Sequence, residues 1–103
     1  MGLTIVLQNQ SGALLDEAVA DTTDLLPFVL PQTEDEVFHY IPYIDRYGDT
    51  VFNRLQMTPL LREFSVLQSN TTDPDERYLL ERISQLAVRC MNTDLSYLRF
   101  IGD

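Results

Sequence analysis

Three oxygen-bearing side chains in the middle of the chain have a spacing that could support metal or acid–base chemistry. Asp45, Asp49 and Asn53 follow one another at intervals of four residues. Carboxylate and amide oxygens are ligands that Ca²⁺ and Mg²⁺ prefer, and paired carboxylates can act as general acid and base. The EF-hand template fails, because Thr50 replaces its glycine and Gln56 replaces its final glutamate. We therefore favour a turn over a metal site or a hydrolytic centre.

The turn interpretation gives each residue between Asp45 and Thr50 a backbone role. The Asp45 carboxylate would accept backbone hydrogen bonds, as Asx turns do. Gly48 would take a positive φ, and Asp49 would cap the element that begins at Thr50. These are expectations about local geometry, and they assign no chemistry to the two carboxylates.

The sequence contains few residues that could carry out nucleophilic catalysis. The chain contains one histidine, His39, and one cysteine, Cys90. Cys90 falls on the apolar face of a predicted helix, near the end where the helix dipole disfavours a thiolate. A Ser-His-Asp or Cys-His unit would have to use His39, which we assign to a strand with a structural or surface role. The four glycines are far apart and form no phosphate-binding loop, so we predict no catalytic set, no cofactor and no metal.

A cluster of tyrosines adjoins the same stretch. Tyr40, Tyr43 and Tyr47 fall within eight residues, with Arg46 among them. Tyr and Arg are enriched at interface hot spots, because they combine contact area with polar reach. The alternative is that some of these rings close the edge of the core, with their hydroxyl groups in water.

Negative charge is concentrated in the first half of the chain. The sequence has 7 arginines, no lysine and 16 acidic residues, for a net charge of −9. Residues 1–45 hold eight acids and no arginine, which gives −8, while residues 46–103 hold eight acids and seven arginines, which gives −1. This asymmetry favours a basic protein partner. The net negative charge argues against nonspecific nucleic-acid binding and against docking on anionic membranes.

Apolar spacing predicts two helices in the second half. Thr58 is the expected N-cap of a helix over residues 59–68, whose apolar positions repeat every three or four residues. Asp73 is the expected N-cap of a longer helix over residues 74–91. The short connection between them predicts an antiparallel hairpin.

The remaining elements are shorter. Runs rich in β-branched and aromatic residues predict strands at Leu3–Leu7, Glu36–Ile41 and Tyr97–Ile101. Residues 50–55 fit either a strand or the start of a helix, and residues 13–19 fit one or two helical turns. Prolines 27 and 31 predict an irregular segment over residues 20–36.

Together these elements predict one α+β domain spanning residues 1–103. Its small, mainly antiparallel sheet would contain the first and last strands and one or two middle strands, packed against the two-helix hairpin. No arginine or lysine precedes Arg46, which argues against a secretory signal, and no apolar run of about 18 residues exists. We therefore expect a cytoplasmic protein.

Parts of the second half resemble small acidic bacterial proteins of no assigned activity. The likeness runs through Tyr43–Gln56, the capped helix that follows and the ending Tyr97–Asp103, and so covers about residues 43–103. It implies no reaction, cofactor or catalytic residue. Some small acidic bacterial proteins of this general build are immunity proteins, which block a toxin.

The first functional hypothesis is therefore a small acidic protein-binding module, immunity- or inhibitor-like or regulatory, that recognises a basic protein. The candidate contact residues are Glu34, Asp35, Glu36, Tyr40, Tyr43, Asp45, Arg46, Tyr47 and Asp49. The alternative is a structural homo-oligomeric subunit, most simply a homodimer. A third hypothesis is a metal-binding or hydrolytic protein centred on Asp45 and Asp49. We do not expect an enzyme.

Overall fold

A four-stranded antiparallel sheet and two long helices form the fold. The computed structural model describes residues 2–102, without the side chain of Phe28. The strands lie in the order β2-β1-β4-β3. Their bounds are β1 Thr4–Asn9, β2 Val19–Ala20, β3 Asp49–Asn53 and β4 Ser96–Ile101. The helices are the four-residue α1 Leu26–Val29, and the longer α2 Met57–Asn70 and α3 Pro74–Met91. Short 3-10 turns occupy Ile41–Tyr43 and Arg54–Gln56.

The predicted α+β architecture is confirmed. The first and last strands pair along their whole length, from Thr4 opposite Ile101 to Asn9 opposite Ser96. β2 and β3 complete the sheet on its two sides. α2 and α3 pack against each other, and α3 packs against β1 and β4. The two central strands therefore supply the surface on which the helix pair lies.

The hydrophobic core fills the space between the sheet and the helices. Ile5 and Leu7 of β1 and Leu98 and Phe100 of β4 are fully buried. β4 alternates between buried and half-buried residues, as in a sheet with one covered face, whereas in β1 Val6 on the other face is buried as well. The predicted apolar face of α3 is confirmed, since all of its residues are buried, namely Leu79, Leu80, Ile83, Leu86, Ala87 and Cys90.

α3 begins as its sequence predicts. The Asp73 carboxylate accepts a hydrogen bond from the Glu76 amide at 3.0 Å, and Pro74 occupies the first turn. Both features satisfy or avoid the free amides of a helix N-terminus. The connection from α2 is only three residues long, Thr71 to Asp73. A local capping pattern is enough to place this helix.

The predicted start of α2 at Thr58 is wrong. Asn53 and Gln56 form a capping box, in which each side chain accepts the other residue's backbone N–H, at 3.1 and 2.9 Å. This box opens the 3-10 turn at Arg54–Gln56, and the turn runs directly into α2 at Met57. The Asn53 cap ends β3, which resolves residues 50–55 into a strand followed by a turn.

Two further local predictions are wrong. Residues 13–19 form no helical turn, because Leu14 bridges Gln8 and the segment then runs on to β2 beside β1. Glu36–Ile41 forms no strand and lies in bends that lead into the 3-10 turn at Ile41. The reason is Glu63 of α2, whose carboxylate binds backbone amides that a strand would have used.

Candidate functional site

A buried carboxylate fixes the segment that the sequence assigned to a strand. Glu63 of α2 is 4% exposed, and it accepts backbone hydrogen bonds from His39 (3.1 Å), Tyr40 (3.0 and 3.1 Å) and Ile41 (3.0 Å). Consecutive amides that converge on one carboxylate bend the chain away from an extended strand. We call residues 33–41 the acidic loop, and Glu63 binds the last three backbone amides of this loop.

A second carboxylate shapes the acidic loop from within. Asp35 Oδ1 accepts hydrogen bonds from the amides of Val37 (2.7 Å) and Phe38 (2.8 Å). The Phe38 bond, followed by the Val37 bond, lowers the pKa of Asp35. Asp35 is therefore a structural residue of this loop. Its neighbours Glu34 and Glu36 are exposed.

Glu34 connects His39 of the acidic loop to Tyr43 of the 3-10 turn that follows. Its Oε1 lies 2.9 Å from His39 Nδ1, and its Oε2 accepts a hydrogen bond from the Tyr43 hydroxyl at 2.8 Å. His39 Nε2 lies 3.2 Å from the Glu36 carbonyl oxygen. Both imidazole nitrogens thus face acceptors, and only the protonated ring donates to both. The geometry favours imidazolium at His39.

The pKa values of Glu34, His39 and Tyr43 are shifted in the directions that these hydrogen bonds predict. The hydrogen bonds with His39 and Tyr43 lower the pKa of Glu34. The Glu34 carboxylate raises the pKa of His39 and the pKa of Tyr43. The side chains of His39 and Glu34 are 51% and 49% exposed, so this is a solvent-facing cluster whose charge changes with pH.

We expect Glu34→Gln to lower the pKa of His39. In the folded protein that pKa is raised, so the stabilisation from protonated His39 is complete below about 6.5, the ordinary pKa of histidine. It is lost as the pH rises through the raised value. NMR titration of the imidazole C–H resonances measures the pKa of His39 in the wild type and in the variant. An unchanged pKa in the variant would contradict the Glu34 contact.

Tyr40 and Arg46 point inward among the candidate contact residues. The Tyr40 ring is half-buried and meets Phe52 edge-on, with 6.4 Å between the ring centroids. The Arg46 guanidinium donates to the Pro27 carbonyl oxygen at 2.8 Å. Tyr40 therefore closes the edge of the core, and Arg46 ties the turn before β3 to α1. Both side chains therefore hold the candidate contact segment against the rest of the fold.

Asp45 organises the turn before β3. Its Oδ1 accepts a hydrogen bond from the Tyr47 amide at 2.9 Å, as the sequence predicts, and its own amide donates to Thr50 Oγ1 at 2.8 Å. The expected positive φ at Gly48 is wrong. A Cβ on Gly48 would lie 2.7 Å from Asp45 Oδ2, so a larger residue here would displace the Asp45 carboxylate from its present position.

Asp49 takes a different partner from Asp45. It begins β3, where its carboxylate pairs with Arg99 of β4, so the predicted capping role is wrong. The two carboxylates proposed as a metal or hydrolytic pair are thus engaged separately, one with a turn amide and one with a guanidinium. Within residues 2–102, no three His, Cys, Asp or Glu side chains cluster as metal ligands.

Some of the exposed candidate residues lie close to one another. Glu34 reaches Tyr43 through its hydrogen bond, and Tyr43 is 65% exposed. A cleft of about 230 Å³ lies between residues 30–32 and residues 41–47, and Asp45 and Tyr47 line its far side. The hydrogen bond from Tyr43 therefore joins the acidic loop to the 3-10 turn at Ile41–Tyr43, and Asp45 and Tyr47 lie on the cleft that follows.

The sequence analysis missed Glu63 and gave His39 no partner. Glu63 lies three residues after Leu60 and four before Leu67, on the apolar face of α2. A carboxylate in such a position must find donors, because an unpaired buried charge is costly. That spacing was the available signal, although it does not say which amides Glu63 binds.

No protein-family model, curated protein or solved structure matches this chain. The likeness of residues 43–103 to small acidic bacterial proteins therefore stays a prediction. Within the described residues, no helix has the length and hydropathy needed to cross a membrane.

Proposed function

We propose that this chain is a small acidic protein-binding module, immunity- or inhibitor-like or regulatory, whose acidic loop recognises a basic protein. The observation that carries the proposal is the loop's anchorage: Glu63 binds three of its consecutive amides, while Glu34 and Glu36 stay exposed. A surface ordered in advance loses less conformational entropy on binding than a flexible one. The acidic loop therefore presents its charges at low entropic cost.

The run of three consecutive acidic residues supports the acidic loop as the contact surface. Glu34, Asp35 and Glu36 are all exposed, and among residues 2–102 their one ion-pair partner is His39, whose Nδ1 lies 2.9 Å from Glu34 Oε1. The loop therefore keeps an excess of negative charge even with His39 protonated. Uncompensated charge of one sign accelerates the association of an oppositely charged partner and makes it sensitive to salt.

Apolar surface beside these acids supplies contact area. Val37 is 47% exposed and Tyr43 is 65% exposed, and both flank the acidic side chains. Interfaces commonly combine a central aromatic residue with a polar rim. In this proposal Glu34 and Glu36 steer the partner, and Tyr43 and Val37 make the buried contact.

A matched pair of double variants tests the proposal. Glu34→Gln with Glu36→Gln removes two negative charges from the acidic loop and leaves the structural Asp35 in place. Glu17→Gln with Glu81→Gln removes two charges from exposed positions elsewhere. Each protein is immobilised and incubated with lysate of the source organism at low and at physiological salt, and the captured proteins are quantified by mass spectrometry.

We expect wild type and the Glu17/Glu81 variant to capture one basic protein, with less captured at higher salt. The Glu34/Glu36 variant should capture about tenfold less, as loss of interface charge pairs does in other complexes. Equal capture by the two variants would exclude the acidic loop as the contact surface. A captured partner of acidic character would overturn the electrostatic argument.

A further inference from the structure

The two edges of the sheet differ in what they offer to another strand. β2 forms one edge and has two residues, whereas β3 forms the other and has five. An edge strand presents unpaired N–H and C=O groups to its surroundings. β3 is therefore the edge to which a further strand can be added.

One hydrogen bond establishes which backbone groups of β3 face outward. The Gly102 amide of the last strand donates to the Gly48 carbonyl oxygen at 2.7 Å, so Gly48 faces β4. Residues of an antiparallel pair alternate between facing the partner strand and facing away from it. Asp49, Val51 and Asn53 consequently direct their N–H and C=O groups to the open edge.

Three exposed apolar side chains are placed symmetrically along this edge. Val51, at the middle of β3, is 53% exposed. Tyr47 lies four residues before it and Leu55 four residues after it, with exposures of 81% and 80%. These two are the most exposed large apolar residues in the described part of the chain.

We propose that β3 pairs with β3 of a second copy of this chain, antiparallel, about a two-fold axis at Val51. Val51 then lies opposite its own counterpart and Asp49 lies opposite Asn53. Tyr47, before the strand, comes to the end at which the other copy places Leu55, in the 3-10 turn after its β3. A two-fold interface requires a surface that is complementary to itself, and this order of side chains meets the requirement. No charged residue faces a like charge among these pairs.

The backbone accommodates this register. The two Val51 residues exchange two hydrogen bonds, and each Asp49 amide donates to the Asn53 carbonyl of the other copy. The Asn53 amide keeps its bond to Gln56 Oε1 at 2.9 Å. Four intermolecular hydrogen bonds therefore form while the capping box before α2 stays intact.

Charge also favours this edge over the rest of the surface. Arg99 pairs with Asp49, and Arg54 pairs with Asp94 at 3.4 Å. Each copy carries a net charge of −9, so two copies repel unless they meet where charges are locally balanced. The edge of β3 is such a place, and the acidic loop is not.

A groove beside Leu55 can accommodate the Tyr47 ring of the second copy. It has a volume of about 460 Å³, and its lining includes Leu55, Leu95 and Tyr97. Leu95 is 61% exposed, so apolar surface in this groove is open to a ring from outside. A tyrosine that fills an apolar groove is a common interface hot spot.

Sedimentation equilibrium of the full chain, from micromolar to millimolar concentration, tests the proposal. We expect a monomer–dimer equilibrium that Tyr47→Ala and Val51→Lys each weaken by about tenfold or more. The matched controls Tyr78→Ala and Val88→Lys change exposed residues of α3, 62% and 44% exposed, and should leave the equilibrium unchanged. A monomer throughout, or equal effects of both sets, would overturn the proposal.

A cysteine placed on the two-fold axis tests the register directly. Two residues opposite each other in a hydrogen-bonded antiparallel pair lie about 5.5 Å apart at Cα, within disulfide range. Val51→Cys should cross-link to itself under mild oxidation much faster than the control Val88→Cys. The native Cys90 is buried and should not compete. Equal rates for the two variants would rule out this register.

Discussion

Replacing Glu63 with alanine is expected to lower the free energy of unfolding by about 3 kcal/mol or more. The Glu63 carboxylate is 4% exposed and accepts the backbone N–H groups of His39, Tyr40 and Ile41. Alanine leaves three amides without their acceptor, and each unsatisfied buried donor costs about 1–3 kcal/mol. A cost of this size is a large part of the stability of a small domain.

Urea unfolding measures the loss, and Glu81→Ala, which changes an exposed carboxylate on α3, is the matched control. The control should shift the free energy of unfolding by no more than about 0.5 kcal/mol. Glu63→Gln keeps one acceptor oxygen and should fall between the two. Hydrogen exchange at residues 39–41 should accelerate in Glu63→Ala. A variant as stable as the control would contradict the anchoring role.

Elements specified by nearby residues were predictable from the sequence. α3 is an example, because Asp73 and Pro74 fix its start and the apolar residues after them repeat at helical spacing. β1 and β4 are apolar runs bounded by turns, and they lie within two residues of their predicted bounds. Residues that are close in sequence determine each of these elements.

The acidic loop was not predictable in the same way. Its apolar and aromatic residues favour a strand, but Glu63 binds its amides from 22 to 24 positions along the chain. Such a tertiary contact overrides local propensity. Gly48 shows a similar limit, since its φ is not positive and its close neighbour is the Asp45 carboxylate, a contact that the sequence alone does not reveal.

The candidate surface was predictable in composition and only partly in arrangement. Charge counting alone identified Glu34 and Glu36, which are exposed. Tyrosine clustering could not tell Tyr40, which contacts the core, from Tyr43, which is exposed. The sequence gives no distances, so the hydrogen bonds that join Glu34 to its neighbours needed the structure.

Phe100→Ala is expected to lower the free energy of unfolding by about 3–5 kcal/mol. Phe100 is fully buried and lies parallel to Phe64 of α2, with 6.4 Å between ring centroids. It meets Phe52 of β3 edge-on at 5.8 Å. Alanine removes both aromatic contacts and leaves a cavity between the sheet and α2. Ile101→Ala, a half-buried neighbour on the other face of β4, should cost much less.

The comparison with Glu63→Ala separates the anchoring of the acidic loop from the stability of the whole core. Phe52 also meets Tyr40 edge-on, so aromatic contacts run from Phe100 to the acidic loop. Phe100→Ala should therefore accelerate hydrogen exchange in β4, α2 and the loop together. Glu63→Ala should have its first effect at the loop amides alone, because local opening needs less free energy than global unfolding. If Phe100→Ala left the loop as protected as in wild type, the loop would owe its order to Glu63 and not to the aromatic contacts beneath it.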